Sequence, residues 1–196
     1  MIDTILGRHR AVKQAQRRFA HMLFVAGATP DQVTLAGLAF GVVAGVAFAL
    51  RALGWGVVLL LISAVLDAVD GTLAREFEAP TAFGGILDLC ADRLVESAVI
   101  IGIAWHRPAL YLPCLLLVAS WYVNITVFLA SGAALERGDK LITYAPGLVE
   151  RGEAIIFFIA LAVIPLIGPW LCYLYTALEL LTAAQRLRFV RAALGG

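Results

Sequence analysis

Apolar residues run through the chain in six long stretches, at roughly 33–53, 55–74, 85–105, 108–131, 147–166 and 169–189. Each has about the 20 residues that a helix needs to cross a hydrocarbon core of ~30 Å. Ahead of them, over 4–25, Ile5, Val12, Phe19, Met22 and Leu23 recur near helical spacing among Arg8, Arg10, Lys13, Arg17 and Arg18. That pattern predicts a basic amphipathic helix lying on a membrane surface. The expected fold is an all-α integral membrane protein, with six transmembrane helices in a domain over 27–196 and an amphipathic juxtamembrane helix over 1–26. The basic stretch before the first apolar run, with no small-residue cleavage site close behind it, argues against a signal peptide.

The charged positions orient these spans. Five Lys or Arg precede the first span, Arg75 lies between the second and third, Arg137 and Lys140 between the fourth and fifth, and Arg186, Arg188 and Arg191 at the end. The opposite connections carry only Arg51 and Arg107, and Trp55, Trp105 and Trp170 fall at that same side. Positive charge inside and an aromatic belt outside place both termini in the cytoplasm, in the cell (inner) membrane. Composition agrees: 62% hydrophobic and 15% charged residues exclude an ordinary soluble domain, and the net charge of +1 adds little. A nucleic-acid partner is not expected beside membrane-embedded chain. Cys90, Cys114 and Cys172 show neither metal spacing nor a disulfide framework and read as packing residues. His9, His21 and His106 form no ligand set, and the Asn124-Ile125-Thr126 glycosylation pattern lies inside a span.

Against this apolar background four carboxylates stand close together: Asp67, Asp70, Asp88 and Asp92. A charge in such surroundings costs several kcal/mol unless compensated. Asp67 and Asp70 are one helical turn apart, as are Asp88 and Asp92, so each pair shares a helix face. A Gly/Pro-bearing turn over 76–85 is expected to fold the two helices antiparallel and bring the pairs together. Clustered carboxylates suit a hard divalent cation, Mg²⁺ or Mn²⁺, and two such ions can clamp a diphosphate. Gly71 and Ala74 leave room for a bulky substrate against the helix, and Arg75 offers a fork for phosphate oxygens. The plainer alternative makes the carboxylates buried partners of Arg75 and Arg93, but two arginines cannot pair four acids.

The run Asp67-x2-Asp70-Gly71-x2-Ala74-Arg75-x8-Gly84-x3-Asp88-x3-Asp92 resembles the complete signature of the CDP-alcohol phosphatidyltransferases, with no signature position altered. The resemblance implies a metal-dependent membrane enzyme of phospholipid synthesis that moves a phosphatidyl group from CDP-diacylglycerol to a small alcohol and releases CMP. A CDP-alcohol donor with a diacylglycerol acceptor is the alternative. It further implies that Asp67, Asp70 and Asp88 hold metal, with Asp92 near a second ion and serving as general base. Asp31 and Thr34, in the turn and helix start over Gly27 to Thr34, match the family's cytidine segment, while Pro30 and Asp31 also suit a plain helix start. Thr81, Gly84 and Arg75 are expected at the nucleotide phosphates. A homodimer is expected.

The acceptor is written less clearly. The Thr29-Pro30-Asp31-Gln32-Val33-Thr34 start, the Leu148-Val149-Glu150-Arg151-Gly152-Glu153 segment and the length look most like the bacterial phosphatidylinositol-phosphate synthases, with phosphatidylglycerol-phosphate synthases near in layout, so a polyol phosphate such as inositol phosphate or glycerol 3-phosphate is favoured. Members of that branch carry basic residues on the fourth helix, and 109–131 has none. Arg137, Lys140, Arg151 and Arg186 are the candidates to replace them; an uncharged alcohol or serine is the alternative acceptor. Glu150, Arg151 and Glu153 could line the acceptor pocket or be a solvated helix start. Glu179 and Gln185 read first as interhelical hydrogen-bonding groups. Ala39, Gly41, Gly45 and Ala47 permit close packing within the chain or in a dimer. Two remoter readings are a divalent-cation transporter, which would spread its acids through the membrane depth, and an inactive scaffold, which an intact signature opposes.

Overall fold

The computed structural model describes residues 10–135 and 151–194, and all regular structure among them is helical. Helix α1 (Arg10–Val25) is the amphipathic segment, and it ends where Gly27 takes φ 79°. Ala28 N–H then donates to Leu23 O at 3.0 Å, closing the helix through the left-handed conformation that glycine adopts without strain. Helix α2 (Pro30–Ala49) begins before its apolar run because of its cap. Thr29 Oγ1 accepts from Gln32 N–H at 3.4 Å while Gln32 Oε1 accepts from Thr29 N–H at 3.1 Å, with Pro30 opening the first turn.

Helices α3 (Leu53–Glu76) and α4 (Ala82–Ala104) carry the two Asp pairs. Their extensive packing is with α2, which lies along both of them. The reason is a run of small residues on α2. Gly37 faces Ser63 and Leu66 of α3, Gly41 faces Ser63 and Val95, and Gly45 abuts the backbone of Ala98 and Gly102 on α4. Ser63 Oγ donates to Gly37 O at 2.8 Å across the α2–α3 contact. The antiparallel pair expected from the turn is thus assembled on α2 as a shared backbone. Gly41, Gly45 and Ala47 are buried within the chain, whereas Ala39 is exposed.

Beyond a 3₁₀ turn at Pro108–Leu110 come α5 (Tyr111–Leu135), α6 (Arg151–Val163), a second 3₁₀ turn (Pro165–Ile167) and α7 (Gly168–Ala193). Here α5 and α7 make the main pairing. Trp121, the one tryptophan that is buried, meets Phe158 and Tyr175 edge-on at 6.1 and 6.4 Å. Arg107 donates to Leu161 O at 3.0 Å and Ala162 O at 3.1 Å, satisfying carbonyls at the end of α6. One apolar core runs from Phe48 and Leu60 through Val95 and Val99 to Leu117, Leu161 and Tyr175, joining both groups of helices.

Three helical stretches, Pro30–Ala49, Leu53–Glu76 and Pro108–Ala134, are long and apolar enough to cross a membrane. Many of their large side chains, such as Val43, Val58, Val65, Leu112 and Leu115, are exposed, as lipid-facing residues are. The others are more polar or shorter: α4 carries Asp88, Asp92, Arg93 and Glu96, α7 carries Glu179 and Arg186, and described α6 is 13 residues long.

The α2–α4 contact gives a direct test. A Cβ at Gly102 would collide with the Gly45 backbone, whereas one at Gly54 would meet open space. Gly102→Val is expected to destabilise the protein by about 1–3 kcal/mol or more, the usual cost of overpacking. Thermal unfolding in detergent should show a clear drop for Gly102→Val and none for Gly54→Ala.

Candidate active site

Three segments meet at one end of the bundle: the start of α2, the C-terminal half of α3 and the N-terminal half of α4. One oxygen from each of Asp67, Asp70 and Asp88 lies within 4.8 Å of the others. Asp70 is buried, and Asp67 and Asp88 are half-buried. Thr34 Oγ1 donates to Asp70 Oδ2 at 2.6 Å, which orients that carboxylate and links the start of α2 to the cluster. Three carboxylate oxygens at this separation form a donor set that suits a hard, oxygen-seeking divalent cation.

Beside the cluster opens a cavity of about 390 Å³. Asp70 and Asp88 line it, and so do all seven residues expected at the donor: Asp31, Thr34, Gly71, Ala74, Arg75, Thr81 and Gly84. Local structure explains how they converge. Thr81 caps α4, its Oγ1 accepting from Gly84 N–H at 2.9 Å, so the first turn of α4 faces the cavity. A Cβ at Gly84 would stand 3.2 Å from Asp31 Oδ1, which shows how closely the starts of α2 and α4 approach. Gly71 lies under the guanidinium of Arg75, where a Cβ would come within 3.0 Å of Nη1. Two helix N-termini and one arginine therefore present positive potential next to a cation-binding carboxylate set. That combination fits a ligand whose anionic groups are shared between cation and protein.

Asp92 falls outside the three-carboxylate group and lines a second cavity of about 230 Å³. Arg93 extends there too, with Nη2 at 2.9 Å from Glu96 Oε1 and 3.9 Å from Asp92 Oδ2. Arg93 thus pairs with Asp92, as the plainer alternative expected for that acid. Arg186, an expected acceptor residue, lines this cavity. Arg137, Lys140 and Glu150 lie outside the described residues, as do the side chains of Arg151 and Glu153. The cavity also contains Asn124 and Glu179, and Glu96, which the sequence did not single out. Gln185 is exposed. The signal for Asn124 was its place as the amide inside an otherwise apolar α5, opposite Glu179 and Arg186 two turns apart on α7.

The sequence profile of the CDP-alcohol phosphatidyltransferases matches residues 27–184. The chain belongs to the CDP-alcohol phosphatidyltransferase family. It is 31% identical to the phosphatidylinositol phosphate synthase of Mycolicibacterium smegmatis, over 100% of this chain and 92% of that protein. With the archaetidylinositol phosphate synthase of Pyrococcus horikoshii it shares 35% identity over 76% of this chain and 77% of the relative. The crystal structure of Mycobacterium tuberculosis phosphatidylinositol phosphate synthase with CDP-DAG bound superposes with a TM-score of 0.75 at 26% identity, covering 91% of this chain and 94% of that one. The same enzyme in complex with manganese and citrate gives 0.73 at 27% identity, over 89% and 88% of the two chains. In this CDP-alcohol phosphatidyltransferase Asp70 and Asp88 line the 390 Å³ cavity, Asp67 stands beside them in the carboxylate group, and Asp92 lines the 230 Å³ cavity.

Proposed function

We propose that this chain transfers the phosphatidyl group of CDP-diacylglycerol to a hydroxyl of a polyol phosphate, with inositol phosphate favoured, and releases CMP. The observation that carries the reading is the cavity that gathers Asp70, Asp88 and the seven donor-facing residues in one place. The names of the relatives support the choice of acceptor.

Asp67, Asp70 and Asp88 would hold divalent metal, Mg²⁺ or Mn²⁺, with Asp92 near a second ion. Bound metal supplies charge neutralisation at the diphosphate and at the CMP oxygen that leaves. The protein's own groups do the rest. The first turns of α2 and α4, with Thr34, Thr81 and Arg75, fix the nucleotide and its phosphates; Gly71 and Gly84 let the donor approach the helix backbones. Asp92, which lines the 230 Å³ cavity, takes the proton of the acceptor hydroxyl as that hydroxyl's oxygen bonds to the phosphatidyl phosphorus and the bond from that phosphorus to CMP breaks. Arg186, with Arg137, Lys140 and Arg151, would hold the acceptor phosphate. The deciding assay is CMP release by purified protein from CDP-diacylglycerol with Mg²⁺ or Mn²⁺ and a panel of inositol phosphate, glycerol 3-phosphate, inositol and serine. Turnover with serine or inositol alone would move the acceptor to the unphosphorylated class, and no CMP release with any of them would overturn the reading.

The same proposal includes six membrane spans (27–196), α1 lying at the surface (1–26), a homodimer, and a cytoplasmic active site. For α1 the support is its docking: Arg17 pairs with Glu76 at 2.6 Å, and His21 and Phe24 stack around Phe77 at 5.5 and 5.6 Å. Trp55, Trp105 and Trp170 are all exposed at the opposite end. A cysteine placed at Ala79, with Cys90, Cys114 and Cys172 replaced by serine, is expected to escape an impermeant maleimide in sealed cells and to react after permeabilisation. Labelling in sealed cells would reverse the orientation.

A further inference from the structure

We infer that Asn124 and Glu179 are positioning residues that aim Arg186 into the cavity beside Asp92, and that this three-residue unit makes the enzyme prefer a phosphorylated acceptor. The inference rests on the acceptor reading above and names the residues that impose it.

Asn124 on α5 uses both ends of its amide. Its Nδ2 donates to Glu179 Oε2 on α7, and its Oδ1 accepts from Arg186 Nη1 at 2.7 Å. Only that amide orientation matches a donor to the carboxylate and an acceptor to the guanidinium. Glu179 is 6% exposed, so the anchor at the other end of this hydrogen-bonded unit is a carboxyl group buried inside the bundle. Phe128 completes the seat, with the Arg186 guanidinium carbon 4.9 Å from its ring centroid. Arg186 Nε is buried and has no hydrogen-bond partner among the described residues. An arginine held by one Nη and one ring face, with part of its fork unspent, is ready for an anion. Burying the anchor has a cost that interhelical cohesion alone does not require, since apolar side chains would join α5 to α7 as well. The cavity is about 230 Å³, the scale of a small polyol phosphate and smaller than the donor cavity. Asn124, placed between Glu179 and Arg186, steadies Arg186 while leaving guanidinium donors for the ligand. Holding the side chain in one rotamer lowers the ordering cost that acceptor binding must otherwise meet.

The test uses steady-state CMP release with CDP-diacylglycerol and two matched acceptors, a polyol phosphate and the same polyol without phosphate. Asn124→Leu and Glu179→Leu are expected to raise KM for the phosphorylated acceptor by roughly tenfold or more, the scale of a lost charge-assisted contact. The KM for CDP-diacylglycerol should stay within about threefold and the preference for the phosphorylated acceptor should collapse, a change in ratio that general loosening of the bundle does not produce. Glu179→Gln, which keeps an oxygen for Asn124 Nδ2, should restore most of that preference. If the leucine variants do not fold, Asn124→Asp carries the test, because it conserves size, loses the donor to Glu179 and engages Arg186 as an ion pair; the same loss of preference is expected. Unchanged acceptor KM and selectivity in an active enzyme, or an equal rise in both substrates' KM, would overturn the positioning role while leaving the proposed reaction intact. Absence of CMP release by the wild type with any acceptor would instead overturn the reaction itself.

Discussion

Asp67→Asn and Asp88→Asn are each expected to lower CMP release at least about a hundredfold at saturating Mg²⁺ or Mn²⁺, because a lost metal ligand removes several kcal/mol of transition-state stabilisation. The wild type should lose all activity in excess chelator and regain it when either ion is restored. The geometry behind this is the approach of Asp67, Asp70 and Asp88 to within 4.8 Å in a partly buried setting. Three acids at such distances repel one another unless a cation stands among them. An asparagine keeps the shape of each side chain but withdraws one negative charge, so the variants separate charge from packing. Binding is the second readout: calorimetry with the CDP donor in Mg²⁺ should show weakened affinity for both variants, since donor diphosphate and metal are held together. Full turnover in chelator, or a rate near normal for both variants, would remove metal from the reaction.

The chemistry was legible where it is local in sequence. Asp67, Asp70, Gly71, Arg75, Gly84 and Asp88 lie on two helices joined by a short turn, and helical periodicity puts each pair of carboxylates on one face of its helix. The helix starts at Thr29 and Thr81 could also be read, since capping is a contact over three residues. What the chain did not reveal is carried by tertiary contacts. That α2 lies along both signature helices depends on Gly37, Gly41 and Gly45 meeting Ser63, Val95 and Ala98, and small residues announce close packing without naming the partner. Likewise Thr34 matches the cytidine segment of the family, but its hydrogen bond to Asp70, 36 residues away, is a tertiary contact that the segment does not announce. Asn124 stands out locally as an amide in an apolar helix, but its partners Glu179 and Arg186 are 55 and 62 residues distant. What sets α4 and α7 apart from α2, α3 and α5 is charge within one span's length: α4 places Asp88, Asp92, Arg93 and Glu96 there, and α7 places Glu179 and Arg186.

Asp92→Asn is expected to separate binding from chemistry. Asp92 stands one turn beyond Asp88 yet outside the three-carboxylate group, and it lines the smaller cavity with Arg93, Asn124 and Arg186. A residue so placed is poised to act on the acceptor more than on the donor. Aspartate is a weak base for an alcohol at its ordinary pKa, so it must be aimed at the hydroxyl and take the proton as it becomes acidic in the transition state. In the proposed role as base, Asp92 would be oriented by the Arg93 guanidinium 3.9 Å from its Oδ2, and Arg93 is itself held by Glu96 at 2.9 Å. Removing a general base typically costs 10²–10⁴-fold in rate. Asp92→Asn should therefore bind CDP-diacylglycerol within about tenfold of wild type but release CMP at least about a hundredfold more slowly in a single turnover. Asp67→Asn, by contrast, should lose both. Donor binding as poor in Asp92→Asn as in Asp67→Asn would make Asp92 chiefly a metal ligand and send the base elsewhere in the smaller cavity, where Glu96 is the next carboxylate along the same helix face. A single-turnover rate near that of wild type would mean that the acceptor hydroxyl needs no proton acceptor at this position.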